Sequence, residues 1–397
     1  MEQKPKTLKR LYGGAATAEY YWPRPEITDP IVDALRSGES VSLFGLRRTG
    51  KSSALLEVQR VLRGEGKTVR YVDVQGKNRV DPIVASLVAA LPTEHAGHKV
   101  TSALSGPRIN KAIDLWNRIR GRESPGPLSP VATLHQVELI KGDLGALLAA
   151  QNRSIILIVD ELPYLIVNML DSGISIADVN SFLATLRAWR HEGKVPMLLA
   201  GSMGLQWLIR ERGIARENFN DLVPYTTPSP LSDDEARAMV HALAVGNECE
   251  WMSDPIVEAI VAESAAKYPS FLQFAFGRIK GHGARTVPDV VRIFEEVIRP
   301  SLDEDFYDQF DTRLARYATA EKQAARDVLR RIDKEFPNPV SLGAVDDLLA
   351  SHDAAVRDHL FLSLTEDGFV RVDTKVRTMA FSSPLVHTWW QSKPYRR

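Results

Sequence analysis

The chain has 397 residues and a single cysteine, Cys249. One thiol excludes an intrachain disulfide and any cysteine-built metal site. Cys249 is expected to be a small, half-buried packing residue. An excess of either charge is also missing, because 50 lysines and arginines balance 50 aspartates and glutamates. A neutral balance argues against the whole-molecule positive field that holds non-specific binders on nucleic acid. It leaves room for a local basic face. No apolar run reaches the ~18 residues that a membrane helix needs. The start, Met1 to Lys6, has no apolar core of a signal peptide. Together these absences predict a cytoplasmic chain in a reducing setting, with no membrane partner. Internal repeats and low-complexity tracts are absent as well.

The chain does have length and pattern. It exceeds the size at which one core keeps growing, so two or three domains are expected. After a lead-in with the aromatic cluster Tyr20-Tyr21-Trp22 and a helix from about Asp29 to Ser37, apolar runs alternate with helical patterns. Strands are predicted at Val41–Phe44, Thr68–Val74, Ile155–Val159 and Val195–Ala200. Helices are predicted at Lys51–Arg63, Pro82–Leu91, Leu134–Ala150 and Asp178–His191. Such alternation predicts a parallel sheet with helices on both faces, its strand carboxyl ends sharing one edge. Glycine and proline crowd residues 92–130, which read as an insertion with one helical island at Ala112–Ile119.

Beyond the sheet, Ser232-Asp233-Asp234-Glu235 is a capping box that opens a helix through Ala244. Further helices at Pro255–Lys267, Ser270–Lys280 and Val287–Ile298 complete a small helical unit. Pro300 marks a boundary. Helical patterns at Ala318–Asp333, Leu342–Ser351 and Ala354–Leu362 then precede two short strands, Phe369–Val372 and Thr378–Phe381, which is the order of a winged helix. The expected division is 1–37 as a segment before the core, 38–228 as the core with its insertion, 229–300 as a helical lid, and 301–397 as a winged-helix-like domain.

Gly45-Leu46-Arg47-Arg48-Thr49-Gly50-Lys51-Ser52 satisfies the phosphate-binding pattern G-x-x-x-x-G-K-S/T, with a strand before it and a helix after it. The glycines let backbone N–H groups wrap phosphates with no Cβ in the way. The helix N-terminus adds partial positive charge. Lys51 is placed to reach the β- and γ-phosphates of ATP, and the Ser52 hydroxyl to ligate Mg²⁺. The alternative is a glycine-rich turn that matches by chance. Five aliphatic residues, Ile155 to Val159, lead to Asp160 and Glu161. Asp160 is the candidate metal carboxylate, and Glu161 the candidate base for the attacking water. Taken alone, the pair reads more readily as two solvated acids at a strand end; it is the P-loop paired with it that favours the metal and base roles. Val195–Ala200 leads to Gly201-Ser202, and Ser202 is placed to sense the γ-phosphate or to position water. The rivals are a turn serine and a serine nucleophile, since Ala200-Gly201-Ser202-Met203-Gly204 is one residue from G-x-S-x-G. The histidines that such a triad would need, His241, His282 and His387, sit in helical or C-terminal stretches.

These motifs resemble the prokaryotic AAA-type ATPases of the archaeal-ATPase and STAND-like group. The P-loop arginines Arg47-Arg48 and the run Lys51-Ser52-Ser53 match that family, as do Asp160-Glu161-Leu162-Pro163-Tyr164-Leu165 and Gly201-Ser202. Tyr21-Trp22-Pro23-Arg24 is similar to an aromatic-rich motif whose arginine lies near the nucleotide, although Pro25-Glu26 stands where the family has glutamate directly. Lys267-Tyr268-Pro269, followed by Phe271-Leu272, is similar to the lid motif beside adenine, with Lys267 replacing a glycine. The resemblance implies an α/β P-loop NTPase with an AAA-like parallel-sheet core, a helical lid and a C-terminal winged-helix domain. It also implies a nucleotide site built from Arg24, Gly45, Arg48, Thr49, Gly50, Lys51, Ser52, Ser53 and Pro269.

The implied activity is Mg²⁺-dependent ATP hydrolysis driving a switch or a regulatory assembly. The alternative is a slow or non-hydrolysing nucleotide-loaded adaptor. An arginine supplied in trans would complete the site in a homo-oligomer, with Arg210, Arg212 and Arg216 as candidates; the competing reading of each is an exposed helix face. Arg371, Lys375 and Arg377 at the wing and Lys393, Arg396 and Arg397 at the end could face DNA. Asp346, Asp347, Asp353 and Asp358 would repel phosphate, which favours a protein partner. Trp389 and Trp390 read as packing residues.

Overall fold

A computed structural model describes residues 7–11, 13–91, 130–225 and 228–394. The expected insertion and its helical island fall almost wholly outside these residues. Internal contacts divide the chain into two compact units, one of residues 24–44 and 54–226, the other of residues 1–23, 45–53 and 227–397.

The first unit is built on five parallel strands: β1 (Ser40–Phe44), β2 (Thr68–Asp73), β3 (Ile155–Asp160), β4 (Met197–Gly201) and β5 (Leu222–Tyr225). Their order is β2-β3-β4-β1-β5, and every neighbouring pair is parallel. Helices α1 (Pro25–Ser37), α2 (Lys51–Gly64, which begins in the other unit), α3 (Asp81–Val88), α4 (Pro130–Ala149), α5 (Leu162–Asp171), α6 (Ile176–His191) and α7 (Leu205–Arg212) connect them. The apolar continuity of β3 has a direct cause. Ile156 and Ile158 enter one hydrophobic core, while Ile155, Leu157 and Val159 enter another. Successive side chains of a strand point to opposite faces, so a strand covered on both sides is apolar throughout. Each fully buried aliphatic side chain contributes roughly 1.5–3 kcal/mol.

Strand β5 went unrecognised in the sequence because Pro224 sits inside it. Proline has no ladder donor and is tolerated on an edge. That is where β5 lies, paired among the described residues only with β1. The short helices α5 and α7 were also missed; each has fewer than three turns, too short for a clear apolar period.

The second unit contains α8 (Asp233–Gly246), α9 (Asp254–Glu263), α10 (Pro269–Gly281), a helical run over 287–315, α11 (Thr319–Glu335), β6 (Val340–Ser341), α12 (Leu342–Leu349), α13 (Ala354–Glu366), β7 (Val370–Asp373), β8 (Thr378–Phe381) and α14 (Pro384–Ser392). The expected capping box is formed, Ser232 and Glu235 each bonding the other's backbone N–H. The expected hairpin gains a third antiparallel strand in the order β6-β8-β7. One core serves the whole unit, running from Leu8, Trp22 and Leu46 through Phe271 to Trp389 and Trp390.

No break occurs at Pro300, where the sequence predicts a boundary. The helical run continues through it, with π-turns at Phe294–Ile298 and Asp303–Tyr307. In the first π-turn the Arg299 N–H reaches back to the Phe294 carbonyl. This wider turn directly precedes the proline and absorbs its missing donor and bulky ring.

The N-terminal segment belongs to this second unit. The Leu8 N–H donates to the Ala242 carbonyl at 2.9 Å. The buried Gln273 amide accepts from the Leu11 N–H at 2.6 Å and donates to the Tyr20 carbonyl at 3.2 Å. Trp22 is 2% exposed, so the aromatic cluster is core. Among the described residues, no helix is long and apolar enough to cross a membrane.

Candidate functional site

The loop Gly45–Ser52 follows β1 and leads into α2. Its expected conformation depends on left-handed backbone, and Arg48 (φ 62°) and Gly50 (φ 97°) adopt it. Thr49 and Lys51 are buried, at 2% and 5% exposure. The Thr49 hydroxyl donates to the Leu46 carbonyl at 3.0 Å. The Lys51 ammonium donates to the Gly45 carbonyl at 3.2 Å and also to the Leu46 carbonyl. A buried ammonium is expensive without acceptors, and the loop supplies them from its own backbone. Ser52 and Ser53 are half-buried at the start of α2.

Within the same unit the loop is held from outside. Its Arg47 N–H donates to Gln309 Oε1 at 2.8 Å. The Ser270 hydroxyl, next to Pro269 at the start of α10, donates to the Arg48 carbonyl. The Arg48 guanidinium lies 5.0 Å from the centre of the Phe306 ring. Ser53 Oγ accepts the Ala16 N–H at 2.8 Å, so its hydroxyl oxygen serves the N-terminal segment.

The ends of β3 and β4 form the other cluster, inside the first unit. Asp160 is 2% exposed. Its Oδ1 accepts the Glu161 N–H at 3.0 Å, and its Oδ2 accepts the Tyr71 hydroxyl at 2.9 Å. Burial and the neighbouring Asp160 carboxylate push the Tyr71 phenol well above its ordinary value, so it stays a donor at any physiological pH. Glu161 sits in the left-handed region (φ 62°, ψ 33°) at the N-cap of α5. Such backbone costs a non-glycine residue about 1–3 kcal/mol and clusters at functional sites. The turn aims its carboxylate at Ser202, whose N–H and hydroxyl both donate to Oε2 at 2.9 Å. Gly201 makes this approach possible, because a Cβ there would lie 2.5 Å from Pro163 Cδ.

The Ser202 hydroxyl donates its hydrogen bond to the Glu161 carboxylate. His387 is bound 3.0 Å from Asp333 and stacked on Phe336, and His241 lies 3.5 Å from Asp254. The Ser202 hydroxyl is engaged with Glu161, and these two histidines with aspartates. Arg24 is buried, with its Nε on Glu26, and caps the start of α1. Arg212 bonds Asp171 at 2.6 Å and lies over Trp207. Arg210 is 3.4 Å from Glu211, and Arg216 is exposed. At the C-terminal end, Lys393 is paired with Asp311 at 2.7 Å, which removes it from the basic face. Trp389 and Trp390 are fully buried, as their packing role requires. Arg371, Lys375 and Arg377 are exposed. Arg396 and Arg397 lie outside the described residues. Among the described residues, no group of three His, Cys, Asp or Glu side chains could hold a metal by itself.

No protein family and no curated protein matches the chain. Among solved structures, the Walker-type ATPase PABY2304 of Pyrococcus abyssi is similar over 94% of this chain and 97% of its own, with a TM-score of 0.55 at 16% identity. This chain shares that protein's fold, a P-loop α/β core built on a parallel sheet. Two others are similar at lower scores. The Aeropyrum pernix ORC2 protein, solved as ADPNP-ADP complexes, has a TM-score of 0.47 and 13% identity over 92% of each chain. Cdc6p from Pyrobaculum aerophilum scores 0.42 at 11% identity, over 94% of this chain and 96% of its own.

In this P-loop fold, the sequence reading missed Tyr71, Gln309 and Arg313. Tyr71 is a polar tip in a strand of otherwise aliphatic inward positions, a weak signal. Gln309 and Arg313 lie four residues apart in the 287–315 run, on the face that also carries Phe306 and Phe310. Buried polar residues in an apolar stripe were the available clue.

Proposed function

We propose that this chain is a Mg²⁺-dependent ATPase whose nucleotide state sets the conformation of its C-terminal region, a nucleotide-driven switch of the AAA-type, STAND-like kind. One observation carries the reading: a complete G-x-x-x-x-G-K-S loop between a buried parallel strand and a helix, with the Lys51 ammonium drawn into the loop. The loop amides and Lys51 take the β- and γ-phosphates of ATP. Ser52 in the loop and Asp160 at the end of β3 each carry the kind of hard oxygen donor that Mg²⁺ prefers. When bound, Mg²⁺ neutralises charge on the phosphate oxygens. Glu161 accepts the proton of the attacking water, and Ser202 holds the Glu161 carboxylate in place. Arg24, Arg48, Thr49 and Pro269 are assigned to the nucleotide's surroundings.

A second reading, a slow nucleotide-loaded adaptor, is favoured by the two hydrogen bonds that Glu161 already accepts from Ser202. Single-turnover ATP hydrolysis separates the two. Glu161→Gln should slow the wild-type rate by about 10²-fold or more; an unchanged rate removes the enzyme reading and leaves the adaptor. Calorimetry on wild type and Lys51→Ala tests binding itself. No uptake of ATP by either would end both readings.

The winged-helix-like end is the proposed partner surface. Exposed Arg371, Lys375 and Arg377 are accompanied by exposed Asp346, Asp347 and Asp373. This mixed charge supports a protein partner or a second copy of the chain over DNA. Binding to a labelled duplex at low salt, lost on charge reversal at Lys375 and Arg377, would restore DNA.

A further inference from the structure

The P-loop carbonyl of Gly45 accepts two cationic donors inside the second unit. One is Lys51 Nζ at 3.2 Å; the other is a terminal guanidinium nitrogen of Arg313 at 3.4 Å. Arg313 is 4% exposed and lies in the 287–315 run. Its other terminal nitrogen donates to the Asp367 carbonyl at 2.5 Å. One side chain thus bridges the phosphate loop and the turn that ends α13.

That turn is tightly specified. The Asp367 carboxylate is buried and accepts the Tyr317 hydroxyl at 2.9 Å. The Asp367, Gly368 and Phe369 N–H groups donate to the Ser363, Thr365 and Leu364 carbonyls at 2.9–3.0 Å. Gly368 is left-handed (φ +73°), and a Cβ on it would lie 2.6 Å from Leu46 Cγ. The turn therefore touches the loop directly, and Phe369 and Val370 lead from it into β7. Four residues before Arg313, Gln309 accepts the Arg47 N–H while donating to the Phe306 carbonyl at 3.0 Å. The loop backbone is read at two adjacent peptides from one helix.

We propose that Arg313 is a positioning residue that couples nucleotide binding to the C-terminal hairpin by serving as the retained donor on the Gly45 carbonyl. The inference rests on the ATP-binding reading above. Lys51 has three N–H donors, and a bound phosphate oxygen competes with the two loop carbonyls for the position and charge of its ammonium. When phosphate draws the ammonium away, Gly45 O loses one of its two cationic donors, and Arg313 carries more of the carbonyl's charge. The Arg313 contact then tightens, and with it the Asp367–Phe369 turn. Linkage makes this reciprocal: whatever loosens the turn weakens nucleotide binding by the same factor.

The test is hydrogen exchange on the full-length wild-type chain, alone and with MgADP or MgATPγS. The expected result is protection of the P-loop amides together with exchange about tenfold slower at Asp367–Phe369, the response of a coupling near 1.4 kcal/mol. Protection of the P-loop with no change at that turn overturns this inference and leaves the nucleotide reading standing. Absence of protection at both overturns both. Arg313→Met should bind ADP about tenfold more weakly, while Arg313→Lys, which keeps a donor, should recover most of the affinity. Equal affinity of Arg313→Met and wild type would refute the role, and the wild-type exchange experiment decides the question even if that variant does not fold.

Discussion

Replacing Ser202 by alanine removes one of two hydrogen bonds to Glu161 Oε2, both 2.9 Å long. A hydrogen bond to a charged group is worth about 1.5–3 kcal/mol when its partners are buried. Ser202 is 3% exposed, but Glu161 is only half-buried and keeps the Ser202 N–H. The low end applies, so about 1.5 kcal/mol of positional restraint is lost, a factor of roughly ten. Ser202→Ala should therefore slow single-turnover ATP hydrolysis about tenfold and leave the ATPγS affinity within about twofold, because the restraint acts on the base and not on the phosphates. The double variant with Glu161→Gln sharpens the test. If Ser202 acts only through Glu161, adding Ser202→Ala to Glu161→Gln should change the rate by less than about twofold. A double variant slower than Glu161→Gln by a further tenfold factor would refute the reasoning and give Ser202 an independent role.

Three further expectations follow from named contacts. Arg190 grips Asp221 through two hydrogen bonds of 2.6 and 2.7 Å and also bonds the Asn218 carbonyl; Asp221→Ala strands this guanidinium and should cost about 3–5 kcal/mol in urea unfolding. Burial acts to raise the Asp221 pKa, but the Arg190 hydrogen bonds and charge win and hold it below the ordinary 3.8. The contribution is therefore full above that value and fades as pH falls further, so wild-type and Asp221→Ala stabilities should converge in acid, and a gap that widens there would contradict the assignment. Tyr71→Phe removes the hydroxyl that orients Asp160, and the Mg²⁺ needed for half-maximal nucleotide binding should rise about tenfold; an unchanged titration midpoint argues against Asp160 as a metal ligand. Gly201→Ala drives a Cβ against the Pro163 ring, and the overpacking should cost about 1–3 kcal/mol in denaturant while slowing hydrolysis as Ser202→Ala does.

Some structure was written locally. The phosphate loop is eight consecutive residues whose glycines, lysine and flanking strand need no distant partner to be recognised. The strands β3 and β4 were legible because burial on both faces demands near-continuous apolar runs, as in Ile155 to Val159. The capping box at Ser232 and Glu235 spans three residues and was equally plain. Where local rules conflicted with context, context prevailed. Pro224 sits in a strand because that strand is an edge, and Pro300 sits in a helix because a π-turn precedes it.

The sequence by itself determined that a phosphate-loop pattern and an acidic strand end exist, because each is a short pattern with its own physical reason. Only the tertiary structure decided what holds them: Ser202 on Glu161 across 41 residues, Tyr71 on Asp160 across 89, and Gln309 on Arg47 across 262. A single hydrogen bond imposes no periodicity on the chain. Partners so far apart leave no mark in either segment until folding brings their polar atoms within 3 Å of each other.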